Sequence, residues 1–205
     1  MMLGKTHHLF DRADQAYQRC IHLIRTLDQA FQSEAFRDDP EERYDTRITL
    51  RQFDVILQAI LLNMALIDGD FHRLERRLID KITRYGDLLD RLRQETDGGL
   101  NLSWDKIQNL SPAERAQLLD RLPELLDQLC TSFVRPLAMV DGQVDSIDFL
   151  ERLERELREI ALSLSDVDGQ SRPSELQAYT DMLEHLLTDR WQRIKEDARE
   201  FAPAE

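Results

Sequence analysis

Cysteine, proline and glycine are all scarce in this chain: two, six and seven residues among 205. Two cysteines build neither a disulfide framework nor a four-cysteine zinc site. Cys20 and Cys130 sit among apolar residues at helical spacing and read as small buried hydrophobes in a reducing, cytoplasmic setting. Glycine and proline together reach only about half of average usage. That argues against collagen-like chains, flexible linkers and proline-rich disorder. Aromatic residues make up 7% of the chain, too few for a β-sandwich or barrel built on aromatic and β-branched strands. Positive charge is short as well, with 27 Lys and Arg against 40 Asp and Glu and a formal net charge of −13. That field repels polyanions, so no nucleic-acid partner is expected. The basic stretch HRLERRLIDKITR, residues 72–84, mixes its bases with acids and reads as a solvated helix face.

Long hydrophobic runs are missing too. The longest, VILQAILLNMALI at residues 55–67, contains Gln58 and Asn63 and stops at Asp68. It falls short of the roughly 18–20 apolar residues that a membrane span needs. The opening MMLGKTHHLFDRADQ lacks the apolar core of a signal peptide. A soluble protein with no transmembrane segment is therefore expected.

What is abundant is leucine, arginine, aspartate and glutamate, a helix-forming composition. Phe10, Ala13, Tyr17, Cys20, Ile24, Leu27 and Phe31 alternate spacings of three and four, which predicts a long helix over 8–36. Pro40 and a charge run break it. The segment 47–67 is apolar on nearly every side and belongs in the middle of the fold. A further helix is predicted over 71–95, ending before the Gly98-Gly99 loop, with Trp104 and Ile107 covering the core. Ser111-Pro112-Ala113-Glu114 has the form of a capping box with proline at the first helical position. Pro123 is expected to restart or kink that helix and Pro136 to bend it. Stripes over 147–164 and from about 171–174 to Phe201 complete an all-α bundle of about six or seven helices. Residues 1–46 form its long first helix and charged linker, and 47–205 the main domain. The whole is either one continuous domain or a core with a helical arm that docks on a partner or joins copies into a homo-oligomer.

One pattern recurs. ALIDGDFHRLE (65–75), AMVDGQVDSID (138–148) and SDVDGQSRPSE (165–175) align without gaps, each with Asp-Gly and an acid seven residues after the Asp. Glycine closes a helix in the left-handed conformation, and the later acid favours the first turn of the next helix. The pattern thus encodes a helical hairpin. Its acids also offer a binding reading, in which Asp68, Asp70 and Glu75 face Asp168 and Glu175 and form an oxygen-rich pocket. Calcium or magnesium suits such ligands, and His72 offers a nitrogen beside them. DVDG lacks the twelve-residue ligand pattern of an EF-hand.

An aliphatic-rich helix ending in Asp-Gly, with glutamate seven after the Asp and used twice in a helical chain, resembles the TerB-like (tellurite-resistance) domain. The matching residues are Ala65, Asp68, Gly69 and Glu75, and then Asp168, Gly169 and Glu175, within residues 47–187. The resemblance implies a helical bundle with an acidic, metal-binding surface and a place in bacterial stress-response or membrane-associated complexes. No Glu-x-x-His pair, phosphate loop, His-Glu-x-x-His or Gly-x-Ser-x-Gly motif occurs, and His7-His8 reads as an incidental pair near a mobile end. The expected function is that of a non-enzymatic binding or adaptor protein with a protein partner. The alternative is a metal-dependent enzyme whose joints hold a catalytic cation.

Overall fold

The computed structural model describes residues 2–31, 45–67, 72–85, 87–95, 103–140, 149–166 and 173–200. Of these, 91% are helical and none is in a strand. The helices are α1 (Met2–Phe31), α2 (Thr46–Ile67), α3 (Arg73–Ile82), α4 (Leu88–Glu95), α5 (Trp104–Ile107), α6 (Pro112–Val140), α7 (Phe149–Ser165) and α8 (Pro173–Leu183). The last continues through a π-helical segment, Glu184–Arg190, into α9 (Trp191–Glu200). Counting that continuous rod once gives eight helices among the described residues.

The α1 seam folds as its spacing predicts. Ala13, Ala16, Tyr17, Cys20 and Ile24 are fully buried and belong to the same core as the rest of the bundle. The seam that the sequence offers for assembly is therefore filled from within the chain. Helix α2 is buried on every side from Phe53 to Leu66, as an all-round apolar helix should be. It is the one described helix long and apolar enough to cross a membrane, and 83% of its most apolar window lies inside the bundle. An aromatic row crosses the core from α1 to α9: Tyr17, Phe53, Phe133 and Trp191, with successive ring centroids 6.0, 6.0 and 6.2 Å apart. These tilted pairs lie within the distance range that aromatic quadrupoles favour.

Cross-helix contacts set the directions. Arg12 pairs with Glu159 and Arg19 with Glu156, so α1 and α7 are antiparallel. Phe53 meets Phe133, while Asn63 shares a cleft with Leu126, so α2 and α6 are antiparallel. Met182 lies near Leu126, Arg190 pairs with Asp127 and Trp191 meets Phe133, so the last rod runs parallel to α6. Arg158 bonds Thr188, and Glu151 lies beside Gln192, so that rod is antiparallel to α7. Consequently α2 and α7 end, and α8 begins, at one end of the bundle. Helix α6 ends and α7 begins at the other.

Three expectations need correction. The helix predicted over 71–95 is two helices, because the backbone turns extended at Thr83 and the next N–H groups bond side chains of α2 instead of continuing the helix. Helix α6 does not restart at Pro123; it is continuous from Pro112 to Val140. Pro123 is exposed, so its ring stands on the solvent side of the helix and out of the core packing. The last rod is not uniformly α-helical but carries the seven-residue π segment. Eight helices stand where six or seven were expected because the 71–95 segment divides in two and Trp104–Ile107 forms a short helix of its own. Helix α6 starts on the predicted capping box: Ser111 Oγ accepts from Glu114 N–H at 3.3 Å, and the Glu114 carboxylate accepts from Ser111 N–H at 2.9 Å. Ile107 is buried and Trp104 packs partly buried on the core, as expected.

Candidate functional site

The Asp-Gly joints lie outside the described residues, and with them Asp68, Asp70 and Asp168. The helix ends that flank them are described. Ile67 closes α2, Ser165 closes α7 and Pro173 opens α8, all at the same end of the bundle. The ends flanking the third joint, Val140 and Phe149, lie at the opposite end, and Asp141 and Asp148 themselves lie outside the described residues. Glu175 falls in the first turn of α8, although its side chain is outside the description.

Glu75 is the one member of the set with a described side chain. It is 4% exposed, and one carboxylate oxygen accepts from the His72 N–H at 2.7 Å. His72 Nδ1 in turn accepts from Leu74 N–H at 3.2 Å. Together they form a capping box on α3, which satisfies two donors at a helix start and places negative charge where the helix dipole favours it. The acid that the repeat puts seven after Asp68 therefore has a structural task. Among the described residues, no three His, Cys, Asp or Glu side chains come together as a metal site.

Sequence reasoning missed a buried polar anchor on α2. Asp54 is fully buried. Its carboxylate accepts from the Tyr17 hydroxyl at 2.9 Å, from Arg84 N–H at 2.6 Å and from Tyr85 N–H. One turn on, Gln58 Oε1 accepts from Leu88 N–H at 2.8 Å. These side chains take up donors of the α3–α4 connection that no helix satisfies. Burial and the adjacent Asp54 carboxylate push the ionisation of Tyr17 far above the usual phenol range. The available signal was a charged residue in a helix apolar all round, which must find partners.

A second missed feature is a cleft of about 400 Å³ between the later half of α2, the middle of α6 and the π segment. Asn63 contributes its amide from α2. Leu126 and Met182 form apolar wall, and Glu124 and Asp127 lie on the α6 side. The π segment adds His185, Leu186 and Arg190. Such segments are rare in helices and often sit at functional sites. Here the wider turn also lets it bury Leu186 and Leu187 together. Arg190 is tied to Asp127 at 2.7 Å, and His185 lies 3.6 Å from Asp189.

The two thiols are inert by position. Cys20 is buried, and desolvation lifts its ionisation well above the ordinary thiol range. Burial also pushes Cys130 up to about 11, partly offset by the Trp191 indole N–H. Comparison with known protein families, curated proteins and solved structures finds no match to the chain.

Proposed function

We propose that the protein is a non-enzymatic, TerB-like helical binding or adaptor protein whose acidic hairpin end takes up cationic chemistry, either a divalent cation or the basic surface of a protein partner. The observation that carries this reading is the shared end of the bundle: α2 and α7 finish there, each directly before an Asp-Gly joint. Asp68, Asp70 and Glu75 follow the first helix in sequence, and Asp168 and Glu175 the second. Carboxylates suit calcium or magnesium, and the net charge of −13 favours basic partners by the same field.

Calorimetric titration of the full chain with calcium chloride, magnesium chloride and, separately, oligolysine tests the proposal. Saturable heat is expected with at least one of them, lost in both Asp68→Ala and Asp168→Ala. Glu75→Gln discriminates further, because a glutamine oxygen keeps the cap but carries no charge. Weaker binding with an unchanged melting temperature assigns Glu75 to the site. Negligible heat with all three titrants, or heat that survives both aspartate substitutions, overturns the reading.

A further inference from the structure

The cleft between α2, α6 and the π segment uses none of the residues of the acidic hairpin end. Among its lining residues is an unanswered donor. Arg190 Nη2 pairs with the Asp127 carboxylate at 2.7 Å and reaches Thr131 Oγ1 at 3.5 Å, while Nε is buried with no hydrogen-bond acceptor. Native proteins leave few buried N–H groups unpaired, and each one calls for an explanation. From α2, Asn63 adds a side-chain amide that makes no hydrogen bond among the described residues. That amide is not sealed in the core but open at the cleft wall, where it presents donor and acceptor side by side.

The charges narrow the ligand. An ammonium would stand against the Arg190 guanidinium and leave its Nε–H unanswered. An anion would meet an excess of acids. Asp127 already neutralises Arg190, Asp189 stands beside His185, and Glu124 is exposed with no ion-pair partner among the described residues. A neutral carbonyl oxygen satisfies the donors without either conflict. Leu126, Met182 and Leu186 offer apolar surface, and the volume of about 400 Å³ falls within the range of small-molecule sites, which are mostly apolar with a few convergent polar groups.

We propose that this cleft binds a small neutral carboxamide carried on an apolar body. The ligand's carbonyl oxygen accepts from Arg190 Nε–H and from the Asn63 amide, and its own N–H donates to the Asn63 oxygen. The stem lies on Leu126, Met182 and Leu186. The Arg190 side chain is 32% exposed, which leaves it room to turn Nε forward while Nη2 keeps Asp127.

The test uses the full chain and three probes that share one stem: 4-phenylbutanamide, 4-phenylbutyrate and 4-phenylbutylamine. Binding is read by calorimetry and by chemical-shift changes. The amide is expected to bind saturably, with both charged probes weaker by about tenfold or more, the scale of one hydrogen bond. Arg190→Lys keeps a cation opposite Asp127 but removes the Nε–H, and Asn63→Ala removes the side-chain amide. Each should weaken the amide probe by about tenfold, with a cooperative thermal transition showing that the variant is folded. Glu124→Gln should strengthen the carboxylate probe and leave the amide unchanged, because only the anion meets that charge. A role confined to holding the fold would move melting midpoints and leave this pattern of probe affinities untouched. Absent amide binding, a charged probe that binds as tightly as the amide, or an amide affinity unchanged in either folded variant overturns the proposal. So does a Glu124→Gln effect on the amide as large as that on the carboxylate.

Discussion

Single polar side chains inside α2 carry more of the architecture than their number suggests. Asp54 joins three elements at one point: the hydroxyl of Tyr17 on α1 and two backbone donors beyond α3. Replacing it with alanine strands those donors in the interior. At about 1–3 kcal/mol for each unsatisfied buried group, Asp54→Ala should cost about 3 kcal/mol or more, read from urea unfolding. Faster amide exchange at Arg84 and Tyr85 should accompany it. Tyr17 adds a pH signature. Its folded form holds the phenolic proton to far higher pH than the unfolded chain, which releases it near pH 10. The associated stability is complete below that pH and is lost as pH rises beyond it, because only the unfolded state sheds the proton. Tyr17→Phe should therefore cost about 1 kcal/mol at neutral pH and flatten the alkaline fall of the urea midpoint above about pH 10. A variant with the same alkaline slope as the parent would refute this assignment. Neither residue could be singled out from spacing, because hydrophobic periodicity is silent about polar groups whose partners lie about thirty residues or more away.

The elements divide by where their signals reside. Helix α1, the all-round apolar α2 and the capping box at Ser111 were legible because each is written in local chemistry: a seam, a saturated face, and a cap with its answering glutamate. The break between α3 and α4 was not. Leu78, Ile79, Ile82, Leu88, Leu89 and Leu92 are all buried and keep a near-helical spacing across the gap, while the groups that stabilise the break sit on another helix. Asp87 was the local clue, since its carboxylate accepts from Leu89 N–H at 2.9 Å as an N-cap does. Pro123 erred the other way, as a strong breaker tolerated inside α6 on a solvent-facing position. Pro123→Ala should return one backbone hydrogen bond and raise stability by about 1–2 kcal/mol, the propensity gain less the added freedom of the unfolded chain. Calorimetric melting checks it, and a lower midpoint would mean that α6 relies on the proline. The candidate acids were legible only as a repeat. Periodicity locates hairpins, and the Glu75 cap shows that one acid of the repeat serves the helix it opens.

At the scale of the whole molecule, α1 is a wall of the core and not an appendage. Tyr17 and Ile24 are fully buried, and Arg12 and Arg19 clamp α1 to Glu159 and Glu156 of α7. A chain lacking residues 1–31 should lose its cooperative thermal transition by circular dichroism, whereas a sharply melting fragment would make α1 dispensable. The bundle also carries a built-in change of phase. Seven residues of π-helix advance the chain through fewer degrees than the same number of α-helical ones would, at about 100° per α-helical residue. The stretch beyond it thereby presents Trp191 to Phe133 and Ile194 to the core. The segment thus acts as a splice between two registers. Returning all seven residues to plain α-helix at unchanged length would turn α9 by roughly a quarter of a revolution or more, and Trp191 would then leave the aromatic row. Deleting one residue along with that return recovers the angle, so the segment is equivalent to a single residue inserted into an α-helix, and this stretch should tolerate loss of one residue better than straightening at full length.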